Sequence, residues 1–103
     1  MHEPFTLHCV TWNARAAMLE KVRAEAYSLG LLTQAESQTE PADKGCLHAM
    51  VLNENGKAIG CARVTRSGQA ERLTVLALEN RSEIESALKL AAWLNADKSL
   101  RYA

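Results

Sequence analysis

The chain has 103 residues, the size of one domain with a single modest core spanning residues 1–103. Its 12 basic and 12 acidic side chains cancel to a formal net charge of zero, which predicts no nucleic-acid partner and no anionic-membrane surface. No apolar run approaches the length of a membrane span, and Met1-His2-Glu3-Pro4 lacks the basic and apolar regions of a secretory signal.

Phe5 to Thr11 is rich in β-branched and aromatic residues and reads as a first strand. Asn13 is expected to cap the helix that follows. In that helix Ala16, Leu19, Val22, Ala26 and Leu29 recur at steps of three and four, and Arg15, Lys21, Arg23 and Glu25 fall largely off the apolar stripe. Gly30 is placed to end it with positive φ. Leu31 to Gly45 is polar and acidic at its centre, with Pro41 near its close; a short helix and an ordered loop fit it equally well. Cys46–Leu52 and Lys57–Thr65 read as two strands joined through Asn55-Gly56, a strong hairpin signal. Arg66–Gln69 makes the next turn and leads to a third strand of the meander, Ala70–Leu78.

Asn80 with Glu83 three residues on fits a capping box. The helix it opens runs to about Asn95, with Ile84, Ala87, Leu88, Ala91, Ala92 and Leu94 on its apolar stripe. The tail from Asp97 to Ala103 is too short to add a reliable element. The order β-α-(α)-β-β-β-α predicts an α+β fold with one mainly antiparallel sheet. The three cysteines, Cys9, Cys46 and Cys61, are widely spaced in apolar runs and are expected to be buried free thiols, which favours a cytoplasmic location.

This order, with Val22-Arg23, Glu40, Asp43 and His48 in sequence, resembles the GNAT superfamily of acyl-CoA-dependent N-acetyltransferases. The run Glu54-Asn55-Gly56-Lys57-Ala58-Ile59-Gly60-Cys61-Ala62-Arg63-Val64 is similar to that family's hairpin, and Glu71-Arg72-Leu73-Thr74-Val75-Leu76 to its next strand. The likeness extends over nearly the whole chain. It implies a GNAT-like fold and acetyl-CoA as the cofactor. It further implies that the backbone at Leu73 and Val75 holds the pantetheine arm. Arg81 and Ser82, at the start of the following helix, then face the pyrophosphate, and Glu71 lies on the right strand to act as base.

Two departures bear on activity. The family's two phosphate-loop glycines fall on Glu83 and Glu85. Acidic residues in a first turn favour the helix by about 0.3–1 kcal/mol each but repel a pyrophosphate. The sequence also ends after this helix, where the family continues with the strands that form the second wall of the cleft. The expectation is therefore a GNAT-like domain with weak or lost acetyl-CoA binding that serves as a binding or interaction module. The alternative is an active N-acetyltransferase, acting on a small amine or a protein, that completes its cleft as a homodimer.

Other chemistry is weaker. Cys46 and His48 share a strand face, yet with His8 or Cys9 they show no zinc-ligand spacing, and no metal is expected. A Cys–His nucleophile pair lacks an orienting carboxylate. Tyr102 is a candidate replacement for the general acid of the missing segment. Trp12 and Trp93 flank helices and fit core or interface packing.

Overall fold

The structure is a computed structural model that describes residues 4–96. Its order is β1 (Phe5–Thr11), α1 (Trp12–Ser28), α2 (Gln34–Ser37), a 3-10 turn (Pro41–Gly45), β2 (Leu47–Asn53), β3 (Ala58–Val64), β4 (Ala70–Val75) and α3 (Arg81–Leu94). The four strands form one antiparallel sheet in the order β1-β2-β3-β4. This is the α+β architecture with the antiparallel sheet that the sequence pattern implies.

The two long helices cover opposite faces. On one, Leu19 and Val22 of α1 pack with Trp12, Met50, Ala58 and Cys61. On the other, Ile84, Leu88, Ala91 and Ala92 of α3 pack on Ala49, Val51, Ala62, Val64 and Val75. Strands β2 and β3 are thus buried from both sides, which is why they read as nearly continuous apolar runs rather than as alternating ones. Gly60 lets α3 come close: a Cβ there would lie 3.1 Å from Ile84 Cγ2 and 3.3 Å from the Thr74 carbonyl oxygen.

Local chemistry sets the boundaries. Thr11, still extended, caps α1 by accepting from the Ala14 amide at 3.3 Å. Asn13, the expected cap, lies inside the helix, because the strand runs into it without a linker. At the other end Leu31 N–H donates to the Ala26 carbonyl and Gly30 N–H to that of Tyr27, with Gly30 at φ 76°: a complete Schellman stop. The segment left open between helix and loop contains both. Thr33 and Glu36 form a capping box on the four-residue α2, and the 3-10 turn follows. In the hairpin, Asn53 Oδ1 accepts from the amides of Asn55 and Lys57, and Gly56 adopts φ 80°.

Four further expectations are corrected. Strand β4 stops at Val75 rather than Leu78; Leu76 N–H still bonds the Ile59 carbonyl, but Leu78 is 81% exposed. Asn80 stands at the N-cap of α3, but its side chain makes no cap hydrogen bond there. Cys9 is exposed, because β1 is an edge strand only lightly covered, and Cys46 is half-buried, leaving Cys61 as the one fully buried thiol of the three. Arg23, placed off the apolar stripe by its charge, is among the most buried residues, four positions after Leu19 on the inward face of α1.

Candidate functional site

The densest polar constellation centres on Asp43, which is fully buried in the 3-10 turn. Its carboxylate receives a two-pronged grip from Arg23, at 2.8 and 3.0 Å. The same carboxylate accepts from the Glu40 amide at 2.7 Å, and from Arg63 and Arg72 at 3.4 and 3.3 Å. His48 Nε2 donates to the Asp43 backbone carbonyl at 2.8 Å. Burial alone pushes the carboxyl upward; the Arg23 fork, the Glu40 amide and the charges of Arg23 and Arg72 outweigh it and hold Asp43 well below the usual carboxylate range. Trp12 closes the cluster, with the Arg23 guanidinium 5.3 Å from its ring centre and the His48 ring 5.2 Å away.

The outer members are shared rather than free. Arg63 also binds Glu71 through Nε at 3.2 Å and Nη2 at 2.8 Å, and Glu40 at 3.1 Å. Arg72 bonds Glu40 at 3.1 Å, the Gln38 carbonyl at 2.8 Å and the Glu36 carbonyl. It reaches them because β4 carries an extra residue there. Cys61 and Arg63 of β3 face Thr74 and Glu71, and Arg72 takes φ 52° in the resulting bulge.

The residues singled out from sequence lie along β4 and its exit. Glu71 is exposed on the strand and ion-paired to Arg63. Leu73 is half-buried and, with Leu32, Glu36, Arg72 and Thr74, lines a cavity of about 220 Å³ beside β4. Val75 is 2% exposed, its side chain in the core beneath α3. Arg81 and Ser82 begin α3, with Glu83 in its first turn. Glu71 therefore sits near the start of β4, whereas Arg81 and Ser82 follow its end; the strand separates the two groups. Tyr102 lies outside the described residues.

Arg23, Glu40, Asp43 and His48 stand together in the resemblance, with Arg63 and Arg72 in the segments that follow, but their convergence on one carboxylate is visible only in the fold. A positional signal accompanies it: Arg23 occupies an i+4 step from Leu19 and i+1 from Val22, and Asp43 stands three residues after Glu40 across Pro41. Among the described residues, no group of three or more His, Cys, Asp or Glu side chains is arranged to hold a metal ion, and no helix is long and apolar enough to cross a membrane. In comparisons with known proteins, no family model, no curated protein and no solved structure matches this chain.

Proposed function

We propose that this chain is a GNAT-like domain whose acetyl-CoA binding is weak or lost and which acts as a binding or interaction module. The observation that carries this reading is the engagement of Glu71. Arg63 donates two charge-assisted hydrogen bonds to Glu71 Oε2, which ties this carboxylate into an ion pair between β3 and β4 instead of leaving it free to meet an amine. The exit of β4 adds to it. The turn into α3 contains no glycine to let a pyrophosphate near the backbone, and Glu83 puts negative charge in the first turn.

Titration calorimetry with acetyl-CoA tests the proposal. The expected dissociation constant is weaker than about 100 μM, about 5.5 kcal/mol of binding. A low-micromolar constant would overturn it. In a variant carrying Glu83→Gly and Glu85→Gly, binding should tighten if charge and bulk at the turn are the obstacle. Unchanged affinity in a folded variant would refute that mechanism.

One observation favours a second reading, an active acyl-CoA-dependent N-acetyltransferase assembled as a homodimer and acting on a small amine or a protein. Among the described residues β4 has a partner strand on only one side, and the cavity lined by Leu73 and Thr74 lies beside it. Leu78 and Trp93, 81% and 51% exposed, offer apolar surface to a second copy. Sedimentation equilibrium at micromolar concentration should then give a dimer; a clean 11.3 kDa monomer would sink this reading. Three free thiols, with Cys9 exposed, fit a reducing compartment, and we assign the domain to the cytoplasm on that ground.

A further inference from the structure

We propose that His48 is an acid-operated latch on the Pro41–Gly45 segment: a neutral ring keeps the segment clamped to the sheet, and protonation releases it while the sheet stays folded. The geometry begins with the hydrogen bond from His48 to the Asp43 carbonyl, 2.8 Å long. A carbonyl oxygen only accepts, so Nε2 carries the ring proton and Nδ1 of the neutral imidazole is a bare acceptor. Nδ1 is buried and has no hydrogen-bond partner among the described residues. The second proton of an imidazolium would point into a closed space with no acceptor among the described residues.

The surroundings oppose that proton from several elements. Arg23 of α1 lies in the same cluster, its guanidinium on the Trp12 ring that His48 also contacts. Arg63 of β3 is the register partner of His48, and Arg72 of β4 joins at Asp43. Val10 of β1, the register partner on the other side, is uncharged. The anions of the cluster, Asp43, Glu40 and Glu71, are each already engaged by one or more of these arginines. Burial pushes the His48 imidazole below its ordinary 6.5; the hydrogen bond to Asp43 and the Asp43 charge pull it back in part, and the charges of Arg23 and Arg63 add a smaller downward push.

Release is local because the segment hangs on one residue. Asp43 is its only buried member, whereas the strands and long helices are held by two apolar clusters. The sign follows from linkage. The closed form has the lower pKa, so the open form binds the extra proton. Clamping is complete above about pH 6.5 and weakens as the pH falls below it. Opening also withdraws Asp43 and Glu40 from Arg63 and Arg72.

The test is amide hydrogen exchange of the whole chain by NMR at about pH 7.5 and about pH 5, corrected for intrinsic rates. The Asp43 and Cys46 amides, which donate to the Glu40 and Asp43 carbonyls, should lose about tenfold in protection, equivalent to one pH unit of linkage. The amides that join β2 to β3 should not change. His48→Gln keeps a donor for the carbonyl but does not titrate, and its protection should be independent of pH. Equal loss at every amide, or an unchanged pH response in His48→Gln, would overturn the proposal. Should that variant fail to fold, the imidazole of the native chain decides in the same samples. A proton on Nδ1 in the neutral ring, or titration at or above the ordinary value, refutes the latch.

Discussion

Arg23 reaches across from α1 to hold both carboxylate oxygens of Asp43, a residue 20 positions later and fully buried beside it. The two ends of this pair are not equally replaceable. Without Arg23, Asp43 keeps Arg63, Arg72 and the Glu40 amide. Without Asp43, Arg23 loses its carboxylate partner and keeps the Trp12 face and the Cys61 thiol, and Arg63 and Arg72 lose a shared anion.

Asp43→Asn should therefore cost more than Arg23→Met. We expect about 3–5 kcal/mol for the first, the usual consequence of leaving a buried charge uncompensated, and less for the second. The double variant should cost less than the sum. Urea unfolding at neutral pH measures all three; equal or reversed single costs would show that Arg63 and Arg72 do not support Asp43.

Asp43 also predicts the acid limit. Its folded pKa lies below the ordinary 3.8, so its contribution is fully present above about pH 3.8 and is lost as the pH falls below that value. Circular dichroism should record a cooperative acid transition beneath about pH 4. In an Asp43→Asn variant that still folds, the transition should be shallower. An unchanged acid profile would assign it to other carboxylates.

Gly60→Ala should destabilise the protein by about 1–3 kcal/mol, although alanine favours an ordered backbone over glycine by about 0.5–1 kcal/mol. The added methyl group meets Ile84 Cγ2 at 3.1 Å and the Thr74 carbonyl oxygen at 3.3 Å, and the second of these is backbone in a paired strand. Thermal unfolding decides; a raised midpoint would mean that α3 shifts outward without penalty.

The three thiols should separate by rate. Cys9 is exposed and should react with an aromatic disulfide reagent within minutes at mildly alkaline pH, with half-buried Cys46 slower. Burial pushes the Cys61 thiol up to about 11, and it should react only as fast as the chain opens. Three fast thiols in the folded protein would contradict this ordering.

The elements that sequence pattern revealed are those governed by short-range chemistry. Gly30 stops α1, Asn55-Gly56 turns the hairpin, and Ile84, Leu88, Ala91 and Ala92 face the sheet. The failures share a cause. Arg23 reads as lying off the apolar stripe because a charge in a helix usually is solvated, and nothing local announces a partner 20 residues away. Cys9 looked buried because an edge strand and a central one share a composition. The extent of β4 was misjudged because Ala77 and Leu78 continue its apolar run after pairing has ended. Within the candidate site, Glu71 was correctly placed on its strand. Its pairing with Arg63 depends on the register across the Arg66–Gln69 turn, which a bulge at Arg72 then shifts.

The ligand set of Asp43 also constrains the order of assembly. Its arginine partners lie 20 residues behind it, 20 ahead and 29 ahead, on α1, β3 and β4. Closing such loops comes after the tight hairpins, since loop entropy rises with separation. A form without β4 in place would leave Arg23 and Asp43 beside an incomplete partner set. In the finished fold the cluster is a register check, because a slip of α1, β3 or β4 takes one guanidinium away from the shared carboxylate. It favours a chain with every strand in register and penalises compact forms that lack the last one.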